Sequence, residues 1–403
     1  MERLLGGLPE ARPAPAVHVV GSNGKGSVAT MAACLLQTLG LKVGLFTSPH
    51  LRSFRERFRI DGEPVSEELL GQAMALLEPR LDRSSDDPTL AFEAMTALAA
   101  MVFYQAAVDV VVWEAGIGGR HDATRFFAGK TAALVSVDLE HTKVLGDTLQ
   151  AVALDKAEIV GAGGTLVLGD LPRAVTEAVQ DAARRRRVRI EAIEPAGFKR
   201  ELLDRARFPA PYAEHNAALA LATVRAFTAS ETSIPVSADW QGVARRAFAE
   251  LTLPGRMERI LVDGDEGPEI WCDIAHTPDA LARVAEACET VAPGACWTVL
   301  LGLSADKVER ADVLVEPLLG VAASFICTRA WHRGGDPALL EGALRARGRQ
   351  AFCLQDPKQA LERALVEARS RGHRVLITGS LFLAVEMAEL LAGRDPQALR
   401  FYG

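Results

Sequence analysis

The chain has 403 residues, 49% of them hydrophobic, and its 45 basic and 52 acidic side chains leave a formal net charge of −7. That length is too great for one typical core, so about two or three domains are expected. The acidic balance argues against a nucleic-acid-binding surface as the main function, and no apolar run reaches membrane-spanning length.

The opening MERLLGGLPEARPAP carries acidic residues and prolines and does not read as a signal peptide. Six cysteines, Cys34, Cys272, Cys288, Cys296, Cys327 and Cys353, are scattered without a CxxC pair. Reduced, mostly buried thiols in a cytoplasmic protein are the expectation. Apolar, β-rich runs then alternate with helical patterns to the end of the chain, the signature of an α/β protein with parallel sheets. In the first part, strands are predicted over 17–20, 43–47, 108–113, 132–137 and 165–168. They are apolar throughout, as strands are when helices cover both faces.

The first run leads into GSNGKGS, residues 21–27, and then into VATMAACLLQTLG, which reads as a helix. Strand, glycine-rich turn and helix in that order make a phosphate cradle. Gly21, Gly24 and Gly26 let the backbone N–H groups around Ser22 and Asn23 turn inward. The helix N-terminus adds partial positive charge, Lys25 adds a full one, and the Ser27 hydroxyl can reach a Mg²⁺. The spelling is unusual, because Gly26 separates Lys25 from Ser27 where the standard loop joins them.

The second run gives way to Ser48-Pro49-His50 and a charged stretch over 52–59. Ser48 could be an oxygen ligand or part of a plain surface loop. The third run ends in Glu114, ahead of AGIGGRHDATR. A carboxylate at a strand end beside a phosphate loop is where a Mg²⁺ ligand belongs; a helix cap or a solvated Glu is the alternative. The fourth run leads into DLEHT and brings His141 to the same edge, as a metal or phosphate contact or as a structural histidine. Lys156, in LDKAEIV, is polar on a mostly apolar helical stretch, and alone it reads as a snorkelling surface lysine. The basic run at 184–187 closes an alanine-rich helix and reads as a solvated helix end.

A helix is predicted over 215–227 and a helical connection over 228–252; LPGR at 253–256 then breaks the pattern and marks a domain boundary. The remainder is a second α/β unit. Its strands are expected over 260–262, 269–273, 298–301, 324–328, 350–353 and 374–378. Its helices are expected over 278–289, 308–319, 337–347, 357–371 and 380–392. Asp273 and His276, in DIAHTPDA, could hold a ribose and a base or cap the helix that starts at Pro278.

Together these residues resemble the Mur ligase superfamily, in its folylpolyglutamate synthase/dihydrofolate synthase branch. GSNGKGS is similar to that branch's G-T-N-G-K-G-S, and TSPHLRSFRERFRIDGEPVSEE to its Ω-loop segment. WEAGIGGRHDAT resembles its E-x-G-x-G-G-R-x-D-A-T, and DLEHTKVLGDTLQAVALDKAEIV its L-D-H-T, L-G-x-T and K-A-x-I block. LPGRMER, DIAHTPDA and ITGSLFL match later landmarks in the family's order. The resemblance implies a P-loop ATPase domain with a parallel sheet over 1–253 and a C-terminal Rossmann-like ligase domain over 254–403.

It also implies ATP-dependent amide ligation. A substrate carboxylate takes the γ-phosphoryl group of ATP to give an acyl phosphate, and the amine of L-glutamate displaces phosphate. The acyl substrate would be a folate or dihydropteroate. By matching motif positions, Lys25 contacts the β/γ-phosphates within the loop Gly21, Ser22, Asn23, Gly24, Gly26 and Ser27. Ser48 and Glu114 hold one Mg²⁺. His141 serves a second, with Lys156 carbamylated to supply a carboxylate-like oxygen. Asn216 approaches the adenine, Arg256 the phosphates, and Asp273 and His276 the ribose and acceptor side. Arg120, His121, Asp122, Ala123 and Thr124 lie near the acyl substrate. A monomer without nucleic-acid or membrane partners is the family's usual form.

The chain departs from the family pattern at its short lead-in to the first strand, at its short segment between Gly164 and His215, and at His121, Arg125, Glu140 and Thr277. The alternatives are a ligase joining an amino acid to a non-folate carboxylate, or a nucleotide-binding regulatory protein.

Overall fold

Residues 1–8, 14–81, 88–127, 129–193, 200–204, 207–231, 234, 236–260, 267–294 and 296–399 are described by the structure, a computed structural model. The chain forms two compact units. One comprises Met1–His50, Phe54–Leu203 and Glu214–Leu251, the other Leu51–Ser53, Asp204–Ala213 and Thr252–Gly403.

The first unit holds strands β1 (Ala16–Val20), β2 (Val43–Phe46), β3 (Phe58–Ile60), β4 (Glu63–Pro64), β5 (Val110–Glu114), β6 (Thr131–Leu134), β7 (Thr165–Leu168) and β8 (Arg189–Ala192). They form one sheet in the order β4-β3-β2-β5-β1-β6-β7-β8. Pairing is parallel except for β3 and β4. Every residue of β1, β2, β5, β6 and β7 is buried, which is why their sequences are apolar without alternation. Register sets the site: Val19 pairs with Glu114 and Val20 with Leu134, so three strands of the sheet end together. Ligands of parallel α/β sheets bind at such carboxyl ends.

Helix Lys25–Thr38 follows β1 and ends in a Schellman turn: Gly40, with φ of 88°, donates to Gln37 O, and Leu41 N to Leu36 O. Beneath β2 and β5, Phe46, Phe58, Phe103, Trp113 and Phe127 form an aromatic core. Trp113 stacks on Phe127 with centroids 4.7 Å apart. A Cβ at Gly44 would come 2.8 Å from the Phe103 ring, so β2 has room for nothing larger there.

The strand expected over 132–137 stops at Leu134, because the backbone and hydroxyl of Ser136 turn to the loop after β1 instead of to a strand. Three strands escaped the apolar-run criterion. β3, β4 and β8 are short and charge-bearing; β4 and β8 are the edges of the sheet and β3 lies next to one. The connection over 228–252 contains helix Trp240–Ala249, capped by Asp239.

The second unit holds β9 (Glu258–Ile260), β10 (Ile270–Cys272), β11 (Trp297–Leu301), β12 (Ala322–Cys327), β13 (Ala351–Cys353) and β14 (Arg374–Thr378). The order is β13-β12-β11-β14-β10-β9, with only β9 antiparallel. The strand expected over 260–262 is β9, shifted toward the N-terminus; residues 261–262 lie outside the described set. Three of its helices start on a capping residue followed by proline: Thr277 before Pro278–Val291, Asp336 before Pro337–Arg345 and Asp356 before Pro357–Arg371. Proline suits the first helical position, where its missing N–H costs nothing. The helix expected over 308–319 is instead 3₁₀ turns at Val308–Arg310 and Glu316–Leu318 around one α-turn, Ala311–Leu314. Pro317 lacks the N–H that would continue the α-helical ladder there. The whole is mixed α/β, built on two sheets in which parallel pairing dominates.

Candidate active site

The loop after β1 is braced from the end of β6. Ser22 N donates to Ser136 O at 2.9 Å, and Asn23 N to Ser136 Oγ at 2.9 Å. Ser136 Oγ donates back to Asn23 O, and Asp138 N donates to Ser22 Oγ, both at 2.9 Å. Gly24 has a φ of 82°, and a Cβ there would lie 3.1 Å from both Asn216 Oδ1 and Val135 Cγ1. Glycine is needed for the turn and for the approach of Asn216, which is buried on helix Pro211–Ser230. No side chain caps helix Lys25–Thr38, so its first N–H groups suit a phosphate. Lys25 Nζ reaches back to Gly21 O at 3.0 Å and Ser22 O at 3.2 Å, holding its charge over the loop. Ser27 is buried in the first helical turn. Ser136 and Asp138 were missed from sequence, although the signal that singled out Glu114, a polar residue after an apolar run, applies to both.

Glu114 is buried at the end of β5 and accepts Ser48 N on Oε2 at 3.0 Å. A Cβ at Gly26 would stand 3.4 Å from that same oxygen. The helix start thus lies in van der Waals reach of the carboxylate. Ser48, Glu114 and the loop, expected together, are together. Among the described residues no three His, Cys, Asp or Glu side chains converge into an all-protein metal cage. Mg²⁺ suits this donor set, since it takes one or two carboxylates and completes its shell with phosphate oxygens and water.

Lys156 is not a surface lysine. It is buried in the last turn of helix Leu149–Ala157, where Nζ donates to Gly21 O at 3.0 Å and Glu140 Oε1 at 2.8 Å. A buried ammonium needs such partners; they replace the solvent that a snorkelling side chain would seek. Burial pushes the Lys156 amine down from its ordinary pKa, against the upward pull of Glu140. Burial alone would raise Glu140, but the Lys156 ammonium beside it holds its carboxyl below the usual range. His141 follows with a φ of 47°. Its carbonyl accepts Val144 N and Leu145 N, and its exposed ring has no hydrogen-bond partner among the described residues. Its backbone is structural and its ring is available.

In the loop after β5, Asp122 faces inward. Oδ2 accepts Gly116 N at 2.8 Å and Ile117 N at 3.2 Å, while Oδ1 accepts the backbone N and hydroxyl of Thr124 at 2.9 and 2.6 Å. Burial raises the Asp122 pKa against these bonds. Ala123 and Thr124 are buried too, so Arg120 and His121 are the exposed members of the set. Thr124 O is 3.0 Å from Nε2 of His18 on β1. A carbonyl only accepts, so Nε2 carries the proton; burial pushes this histidine down to about 4. Asp155 Oδ1 accepts Gly119 N at 2.9 Å, and Arg120 Nη2 donates to Glu158 Oε1 at 2.5 Å.

In the second unit, Asp273 is buried after β10. It accepts Met257 N and Ala275 N at 2.8 Å each and the Tyr212 hydroxyl at 3.1 Å. Burial raises the Asp273 pKa, opposed by the Arg256 charge. Arg256 follows Gly255, whose φ is 66°. His276 Nδ1 donates to Ile274 O at 2.9 Å. Burial first, then the Lys307 charge, lowers its pKa. Neither residue caps the helix at Pro278; Thr277 does, through Ala280 N. Tyr212 gave no signal in the sequence.

The sequence model described as Mur ligase, glutamate ligase domain, matches residues 255–381. The chain is 34% identical over 397 residues to the probable bifunctional folylpolyglutamate synthase/dihydropteroate synthase of Haloferax volcanii, covering 92% of this chain and 45% of that one. It thus spans less than half the length of that relative. It is 31% identical to the folylpolyglutamate synthase of Lacticaseibacillus casei, with 94% of this chain and 90% of that one covered. Among solved structures it resembles the bifunctional folylpolyglutamate synthase/dihydrofolate synthase of Yersinia pestis complexed with AMPPNP and a manganese ion, at a TM-score of 0.78 and 27% identity over 97% of this chain and 91% of that one. Identity of this extent, together with a phosphate loop, Glu114 and Lys156 meeting at the carboxyl ends of the central strands, means that the chain belongs to the folylpolyglutamate synthase/dihydrofolate synthase family of Mur-type ligases.

Proposed function

We propose that the protein is an ATP-dependent ligase that joins L-glutamate to the carboxylate of a folate, of dihydropteroate, or of both. The observation that carries this is the convergence of Lys25, Glu114 with Ser48, and Lys156 on the loop after β1, in a chain of this family. The substrate carboxylate attacks the γ-phosphorus of ATP; the P–O bond to ADP breaks and an acyl phosphate forms. The glutamate amine then adds to the acyl carbon, loses a proton, and inorganic phosphate leaves. Catalysis is mainly positioning and neutralisation of charge. Lys25 and the loop N–H groups hold the phosphates. Ser48 and Glu114 would hold a Mg²⁺, which supplies positive charge to the transferring phosphoryl group.

His141 and a carbamylated Lys156 would serve a second ion. Carbamylation joins a neutral amine to CO₂ with release of a proton, and the burial that lowers Lys156 favours the neutral amine. We assign ATP binding to 1–253 and amino-acid ligation to 254–403. Asn216 serves the adenine, and Arg256, Asp273 and His276 serve phosphate, ribose and acceptor. Asp273 also fixes the turn of Arg256 by accepting Met257 N, and holds the Tyr212 hydroxyl and Ala275 N. The reading includes a monomer working in the cytoplasm.

The test is incubation with MgATP, glutamate and either dihydropteroate or tetrahydrofolate, following phosphate release and product mass. Glutamylated product is expected. Phosphate release without it would move the substrate to another carboxylate, and no release with any acyl donor would remove the ligase.

A further inference from the structure

Helix Leu149–Ala157 carries two adjacent polar residues that face different loops. Lys156 bonds Gly21 O of the phosphate loop. Asp155 bonds the turn after β5: Oδ1 accepts Gly119 N at 2.9 Å and Arg120 N at 3.4 Å, and Oδ2 lies 4.0 Å from Arg120 Nε. The contact leaves no slack. A Cβ at Gly119 would fall 2.4 Å from the carbonyl oxygen of Lys156. Arg120 is held at the other end by Glu158 at 2.5 Å, and Arg125 Nη1 donates to its carbonyl at 2.8 Å. One helical turn thus spans the phosphate loop and the exposed Arg120-His121 tip.

We infer that Asp155 is a positioning residue for the acyl substrate: it fixes the turn of Gly119 and Arg120 at a set distance from the phosphate loop, through the helix that Lys156 anchors. This rests on the proposed function and adds a residue to it. A carboxylate in line with a γ-phosphate gains most of its advantage from such spacing. Asp155 touches no phosphate-loop atom among the described hydrogen bonds and ion pairs, so nucleotide affinity should not depend on it.

Asp155→Ala is expected to raise KM for the acyl substrate about ten-fold and leave KM for ATP within about two-fold. Asp155→Asn keeps an oxygen for the Gly119 N–H and should recover most of the loss. Asp155→Glu keeps the charge but displaces it by one methylene, and should again raise the acyl KM selectively, which decides the matter if the Ala variant does not fold. Equal rises for ATP and acyl substrate, or an Asp155→Glu variant with unchanged acyl KM, overturn the inference. A wild-type enzyme that glutamylates neither folate substrate overturns the functional reading instead.

Discussion

Glu114 shows how far one residue can be read. Its position after four apolar residues and before a glycine-rich turn marks a strand end, and the register of β5 with β1 brings it to the phosphate loop. Glu114→Ala should lower turnover by about 10² or more with little change in thermal unfolding; near-normal turnover would remove it from the metal site. Lys156 was harder. A lysine on an apolar helix looks the same in sequence whether it snorkels or is buried, and only the partners, Glu140 and Gly21 O, distinguish the two. His18 gives a pH dependence. It is neutral when folded, with a pKa of about 4 against 6.5 in the unfolded chain. Its contribution is present in full above pH 6.5 and is lost as pH falls toward 4, about 3 kcal/mol in all. His18→Gln should flatten the fall in urea-unfolding free energy between pH 7 and 4.5; an unchanged slope would count against the buried neutral ring.

Among the elements, the buried parallel strands were legible because helices on both faces force apolar runs. The edges were not: Arg189–Ala192 and Glu63–Pro64 carry charges that a burial-based reading passes over. Helix starts with a capping side chain and proline were legible, and their caps should be measurable. Asp356→Ala removes the acceptor for Lys358 N and Gln359 N and should cost about 1 kcal/mol of stability without moving either KM. An unchanged unfolding midpoint would contradict that cap. The loop after β5 was legible as a glycine-rich turn at a strand end but not in its division of labour. Asp122 and Thr124 shape the loop from inside, and only distances reveal this. Gly119→Ala should force the turn away from helix Leu149–Ala157 and impair both stability and acyl-substrate binding, seen as a lower unfolding midpoint and a raised KM. A variant with wild-type values would mean the approach is looser than 2.4 Å.

Across the whole molecule, two α/β units divide the residues proposed for the chemistry. The first gathers the phosphate loop, Glu114, Ser48, Glu140 and Lys156; the second carries the Arg256 turn, Asp273 and His276 within the stretch matching the glutamate ligase domain. Motif order made this division legible, because the phosphate loop, Ser48, Glu114 and Asp273 each fall where a strand ends. The acyl substrate was less legible, because the loop assigned to it presents only Arg120 and His121 to solvent among residues 120–124. No helix among the described residues is long and apolar enough to cross a membrane. The central claim is that ATP activates a substrate carboxylate by phosphoryl transfer. Supplying the acyl substrate with ¹⁸O in that carboxylate, together with MgATP and glutamate, and weighing the released phosphate tests this most directly. One ¹⁸O should appear in each phosphate formed with product, and unlabelled phosphate would contradict the account.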